Sequence, residues 1–447
     1  MKAIVLSAVP PQHAGLSKLA RVLEEQLAHA GYDAIEHFDV SEAKLGFCQG
    51  EFGCWVNHPG RCKIDDAQQA IVAAIPAADT LVYLGPVLFG GWSYALKRAI
   101  DRMICLITPF FEKRAGLTHH ERRYESYPRM YAVGLLPRPD AGQQKTFEQL
   151  NDANAINLFA PRRNAIVLSE DQSDRWQPSL GAMLAQDLEP GASIPDRESL
   201  RHELLEVARA DCLPAHAPIK TAALLVGSAK AKGTSVSECL ARALMHRFEA
   251  RGIACDLHFA TEFVHDRAPA QAAAKALASA DLLLLATPLY VDSLPSLATH
   301  ALEMIARARS DERPAALFVP IINCGFPEPE HTRTAIRITR HFAVAAGYGF
   351  AGALPLGAGG TVTPDRDLDE PRPPVTHLVR ALDLTADALA AGRVVPEAAL
   401  DEIVTPPLPD VLYRLAGDLG FRWQAHLNGT AQRELRATPF ASEERDQ

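Results

Sequence analysis

Short unbroken apolar runs alternate along this chain with stretches whose apolar residues recur at helical spacing. Residues 3–6 read as a strand, and a loop with Pro10 and Pro11 follows. Leu16, Leu19, Ala20, Leu23 and Leu27 then keep one face of a helix until Gly31 stops it. Further strands are predicted at 33–38, 80–84, 130–135 and 164–168. The same order then repeats. Residues 222–226 form a strand, Val236, Leu240, Leu244 and Phe248 mark a helix ended by Gly252, and strands follow at 255–259, 282–286 and 316–322. Continuous apolar strands separated by helices indicate a parallel sheet covered on both faces. The predicted fold class is therefore α/β: two doubly wound parallel-sheet domains in tandem.

The two copies differ in length. Leu19 and Pro86 lie further apart than Leu240 and Pro288, by about the length of the 47–66 segment, which carries Cys48, Cys54 and Cys62. That segment reads as an insertion in one copy of a duplicated unit. The expected organisation is a first domain over 1–170, a linker over 171–219, a second domain over 220–360 and a helical tail over 361–447. The linker is polar, with Pro178, Pro190, Pro195, Pro214 and Pro218, and one helix is predicted in it at 198–210. The tail opens with a solvated stretch that includes Pro364, Asp365 and Arg366. It carries Leu412, Leu415, Leu419, Phe421 and Trp423, too much apolar surface to float free.

The net charge of -9 supplies no basic field for nucleic acid or an anionic membrane. The first apolar run stops at Pro10, too short for a secretion signal or a membrane span, so a cytoplasmic location is expected. Eight cysteines in 447 residues do not make a disulfide scaffold.

In a doubly wound sheet, ligands bind beyond the carboxyl ends of the strands, where the strand order reverses. The second copy offers three loops there. The first, 227–237, leaves a strand and enters a helix, so free helix N–H groups and the helix dipole favour a phosphate. Ser228, Thr234, Ser235 and Ser237 add hydroxyls, and Lys230 or Lys232 adds charge. The loop has neither the Walker nor the dinucleotide fingerprint. The second loop carries Pro288, Leu289, Tyr290, Val291 and Asp292, whose amides suit the polar edge of a flat ring. The third carries Asn323, Cys324, Gly325 and Phe326, where glycine allows close approach of backbone to a planar ligand.

Together these three loops resemble the flavin-binding loops of NADPH-dependent FMN reductases of flavodoxin-like fold. The first copy resembles the same superfamily, especially its iron–sulfur flavoprotein branch, through Cys48-Gln49-Gly50-Glu51-Phe52-Gly53-Cys54-Trp55, Pro59-Gly60-Arg61-Cys62 and Asp65-Asp66. Pro86, Phe89-Gly90, Ala95-Leu96-Lys97 and Asp101-Arg102 extend the match. The resemblance implies FMN at the switch point, reduced by NAD(P)H. In the first copy, Pro10 and Pro11 delete two N–H donors and Leu16 replaces a hydroxyl, so the second copy is the expected FMN site. The branch's second cysteine is replaced by Glu51, so no iron–sulfur cluster is expected. A zinc site including His58 is not expected either, which leaves the three cysteines packed or redox-active. His119 and His120 read as a polar surface or pocket wall rather than metal ligands.

The expected function is FMN-dependent NAD(P)H oxidoreduction, with electrons passing to a small acceptor such as a quinone, a nitro or azo compound or a metal complex. Hydride transfer demands no acid–base residue, so no catalytic residue is assigned. The alternative is a flavodoxin-type electron carrier serving a protein partner. The chain is expected to form a homo-oligomer or to imitate a dimer within itself.

Overall fold

In the computed structural model the described residues are 1–114, 116–191, 196–213, 217–264, 267–309, 316–364 and 368–440. Pro195, Pro214, Asp365 and Arg366 lie outside them. The chain divides into two units, one of Met1–Ala115, His119–Ile194 and Ala416–Gln447, the other of Gly116–Thr118 and Pro195–Leu415.

The first unit is built from β1 (Lys2–Ser7), α1 (Ala14–His29), β2 (Ala34–Asp39), α2 (Gly53–Val56), α3 (Gln68–Ala74), β3 (Thr80–Leu88), β4 (Gly91–Trp92) and α4 (Tyr94–Ile100). Then come β5 (Ile107–Arg114), β6 (Leu117–Arg122), β7 (Arg129–Leu136), α5 (Ala141–Asn157), β8 (Arg163–Ser169) and α6 (Trp176–Ala185). Its sheet runs β2-β1-β3-β7-β8 and those strands are parallel. Strand order therefore reverses between β1 and β3, the flavodoxin-like arrangement. The predicted apolar face of α1 is the buried one: Leu16, Leu19, Leu23 and Leu27 pack on Ala3, Val5, Val82 and Val133. Each such side chain contributes about 1.5–3 kcal/mol on burial. Gly31, at φ 89°, closes the helix in the left-handed region.

The second unit contains α7 (Arg197–Ala208), β9 (Thr221–Val226), α8 (Val236–Glu249), β10 (Ala254–Phe259), α9 (Arg267–Ser279), β11 (Leu282–Pro288) and α10 (Ser296–Ala308). It continues through β12 (Ala316–Asn323), α11 (Arg333–Ala345), β13 (Tyr348–Phe350), β14 (Leu354–Leu356), α12 (Thr376–Ala390) and α13 (Glu397–Ile403). The chain closes with α14 (Asp410–Leu427). The sheet order β10-β9-β11-β12-β13 reproduces the first sheet, with β14 also on β12. Every residue of β12 is buried, as a central strand covered on both faces requires.

Among its described residues the stretch 171–219 holds two α-helices where one was expected. α6 was obscured by Pro178 near its start, where proline is tolerated; Trp176 and Leu180 bury it in the first unit's core. α7 joins the second unit, where Ala208 O accepts from Ala353 N–H at 2.8 Å. α12 lies against α8, whose buried Arg247 donates to Asp383 at 2.7 Å and to Leu368 O at 2.7 Å. Among the described residues no helix is long and apolar enough to cross a membrane.

Candidate functional site

In the second unit the ends of β9, β11 and β12 bring the three predicted loops together. Gly227 N–H donates to Ala286 O at 2.8 Å, tying the first loop to β11. A side chain there would lie 2.6 Å from Thr287 Oγ1 and 3.0 Å from Ala298 Cβ, so the close approach requires glycine. Ser235 caps α8 in extended conformation, its Oγ accepting Glu238 N–H at 3.1 Å. Glu238, buried, reaches back to accept Gly233 N–H at 2.6 Å, and Arg242 pairs with it at 2.8 Å. This variant of a capping box was legible as Ser235-Val236-Ser237-Glu238, yet the sequence reading did not use it. The Arg242 partner offsets a negative charge that would otherwise oppose a bound phosphate.

The loop hydroxyls divide into two kinds. Thr234 donates its O–H to Ala231 O at 2.7 Å, and Ser237 donates to Asn323 Oδ1 at 2.9 Å. Both hydrogens are committed inside the protein. Ser228 Oγ accepts Lys230 N–H at 3.3 Å and Ser235 Oγ accepts Glu238 N–H, so each retains its own O–H to donate. The N–H groups of Val236 and Ser237 belong to the first helical turn, where no carbonyl lies one turn back to receive them. Lys232 turns to Glu262 at 3.6 Å and sits over the Phe259 ring. The donor set that suits a phosphate is therefore Ser228, Ser235 and the opening turn of α8, with Thr234 and Ser237 shaping the loop.

The second loop is held to the third by Leu289 N–H donating to Asn323 O at 2.9 Å. Pro288 pairs in register with Asn323. Tyr290 and Ser293 exchange backbone hydrogen bonds around Val291 (φ 47°) and Asp292 (φ 56°), a tight turn with two non-glycine residues in the left-handed region. The first unit has the same kind of turn after β3, with Phe89 at φ 53° and Gly90 at φ 78°. In the third loop the buried Cys324 accepts Phe326 N–H at 3.3 Å, and burial pushes its thiol up. Gly325 is exposed, and a Cβ there would meet nothing within 4 Å. Tyr413 donates to Gly325 O at 2.9 Å and accepts Gly360 N–H at 3.3 Å; burial pushes its hydroxyl up to about 12. No local pattern could have joined Tyr413 to a loop so far back in the sequence. Thr118 also reaches the third loop, donating to the buried Glu328 at 2.9 Å.

The corresponding loop of the first unit is built differently. Val9 N–H is taken by Asp39 at 3.1 Å, and Pro10 and Pro11 have no N–H. His13 Nδ1 accepts Leu16 N–H at 3.3 Å, and its other ring nitrogen lies 3.5 Å from Glu170. The Glu170 carboxyl carbon lies 3.3 Å from where a Gly15 Cβ would sit. One carboxylate thus takes an N–H of the loop and a second lies beside the start of α1.

The cysteine segment folds within this unit. Trp55 Nε1 donates to Ile104 O at 2.9 Å, and its ring stacks on Phe52 and meets Phe421 edge-on. Glu51 pairs with Lys63 at 3.3 Å. Among the described residues no group of three or more His, Cys, Asp or Glu side chains is arranged to hold a metal ion. His119 and His120 lie on β6, not on a helix, and so point to opposite faces. His119 bonds Asn157 at 2.7 Å, while His120 lies 3.2 Å from Pro109 O and beside Trp55. Burial pulls His120 down to about 3.

Comparison with known proteins gives one family match. The profile described as NADPH-dependent FMN reductase covers residues 1–122 and 220–348, more than half of the chain and part of each sheet. No curated protein matches. Solved structures with similarity include an NAD(P)H:quinone oxidoreductase from Methanothermobacter marburgensis, at 14% identity over 41% of this chain and 93% of that one, TM-score 0.33. An FMN-dependent NADH-azoreductase from Bacillus anthracis, in complex with FMN, gives 11% identity over 41% and 95%, TM-score 0.32.

Proposed function

Because the chain belongs to the NADPH-dependent FMN reductase family and is thus an NAD(P)H-dependent flavin oxidoreductase, we propose that its second unit alone holds the flavin. The observation that carries this reading is the contrast between the two phosphate loops. One keeps the Ser228 and Ser235 hydroxyls and an open helix start, whereas Asp39 and Glu170 crowd the other.

Ser228, Ser235 and the first N–H groups of α8 would bind the FMN phosphate, with Lys230 adding positive charge. Pro288, Leu289, Tyr290, Val291 and Asp292 would line one edge of the ring, and Asn323, Gly325 and Phe326 the other. The rigid turn at Val291 and Asp292 orients its amides without paying ordering entropy on binding. When bound there, FMN would supply the redox chemistry that links NAD(P)H to a second molecule. The open space at Gly325 leaves room for that second molecule. We assign it to the small acceptors: quinones, nitro or azo compounds, or metal complexes. Such a reaction draws on the cytoplasmic NAD(P)H pool, where we place the protein.

Acid-released flavin measured against protein should give about one FMN per chain, and steady-state NAD(P)H oxidation should require one of these acceptors. Two FMN per chain would overturn the assignment to one unit. We further propose that no iron–sulfur cluster is held, since Glu51 is engaged with Lys63. Four irons retained per chain after anaerobic reconstitution would refute that.

A further inference from the structure

The proposed flavin chemistry leaves three cysteines of the first unit without a role. Cys48, Cys54 and Cys62 are all half-buried and line one small cavity of about 20 Å³, together with Phe52, Ile64, Arg102 and Ile104 among others. A space of this size holds about one water-sized molecule. The three sulfurs are not equivalent. Arg102, whose side chain is fully buried, directs Nη1 to Asp66 at 2.6 Å and Nη2 to Cys62 Sγ at 3.4 Å, while its Nε has no hydrogen-bond partner. Cys62 is thus the sulfur that a buried guanidinium faces. Burial instead pushes the Cys48 thiol up to about 12 and the Cys54 thiol well above its ordinary range, so both stay protonated. A sulfur beside a cation, with two further thiols on the same cavity, is an arrangement that a reversible dithiol couple can use.

We propose that Cys62 is a peroxide-reactive thiol that closes a disulfide onto Cys48 or Cys54 across this cavity. The Cys62 thiolate attacks one oxygen of hydrogen peroxide, the O–O bond breaks, and hydroxide leaves with the electron pair, giving Cys62 sulfenic acid. The neighbouring thiol then attacks that sulfur. An S–S bond forms, the S–O bond breaks, and the thiol proton leaves with the oxygen as water. Two equivalents of a small thiol reverse the change by exchange. Reduced flavin meeting dioxygen yields hydrogen peroxide as its two-electron product, so the protein's own chemistry can supply the oxidant. The inference does not depend on which unit binds FMN.

The test uses the full chain, reduced, freed of reductant and exposed to a few equivalents of hydrogen peroxide. Alkylation and non-reducing peptide mapping should find Cys62 linked to Cys48 or Cys54, with the exposed Cys212 still a free thiol. In a Cys48→Ser, Cys54→Ser variant the sulfenic acid should persist on Cys62 and be captured by a dione reagent. Arg102→Lys keeps a cation but not the fork, and should slow Cys62 oxidation at least tenfold. Should that variant fail to fold, Cys62→Ser in the same assay should leave Cys48 and Cys54 unlinked to each other and reduced. A bridge that omits Cys62, or oxidation of Cys212 ahead of Cys62, would overturn the proposal.

Discussion

Replacing Ser228 by Ala separates a phosphate contact from support of the loop. Ser228 Oγ already accepts Lys230 N–H, so the O–H that the change removes is the one left to donate outward. A hydrogen bond to a charged group is worth about 1.5–3 kcal/mol. At 1.4 kcal/mol per tenfold, FMN should bind roughly 10- to 100-fold more weakly. Thr234→Ala provides the matched comparison. Its hydroxyl is spent on Ala231 O at an exposed position, so FMN affinity should change less than about threefold. Riboflavin lacks the phosphate, and its affinity should be unchanged in both variants. Quenching of flavin fluorescence on titrating apoprotein measures all four constants, and a thermal melt checks that Ser228→Ala stays folded. Equal weakening of FMN and riboflavin would refute the reasoning, as would a Thr234→Ala loss matching that of Ser228→Ala.

Two further outcomes follow from the geometry. Gly227→Ala forces a methyl against Thr287 and Ala298, which should cost about 1–3 kcal/mol and lower the melting temperature; an unchanged melt would show that the strand ends can part. His120 is held neutral in the folded chain down to about pH 3, whereas unfolded histidine protonates below about 6.5, so the unfolded state binds the extra proton between these values. Stability should therefore fall on acidification through that window, by at most about 1.4 kcal/mol per pH unit and less because the ring is only partly buried. His120→Gln should flatten the slope measured by urea unfolding, and parallel slopes would exclude His120 as its source.

β3, β9, β11 and β12 were legible because their apolar runs are continuous, and α1 and α8 because their faces repeat at helical spacing; β13 and β14, three residues each, were not predicted. The ribbon of β5 and β6 was not legible: Thr118, His119 and His120 follow one another without the alternation that marks a strand. α5 was missed for the same kind of reason, since Asn151, Asp152 and Asn154 are buried polar residues on its inner face. The residue types in the candidate loops were legible, but not the direction of their hydrogen bonds. Thr234 and Ser237 look like phosphate donors in the sequence; Ala231 O and Asn323 Oδ1 take their hydrogens, and only the folded loop brings Ser237 to Asn323. Asp39 and Glu170, the carboxylates crowding the first loop, come from other elements and carry no local mark.

The far edge of the second sheet has a consequence for modularity. Gly352, at φ 104°, leaves no room for a side chain, with Val395 Cβ 2.8 Å and Ala208 O 3.4 Å from where its Cβ would be. Val395 N–H donates to Ala351 O at 2.9 Å, and Asp211 N–H donates to Phe350 O at 3.0 Å. Segments from before β9 and after β14 thus meet at one point and cover backbone that an open edge would offer to other chains. A fragment cut to residues 220–348 would lose both covers and expose the α8 face that α12 buries. A fragment meant to fold by itself should therefore keep α7 and α12 with the sheet.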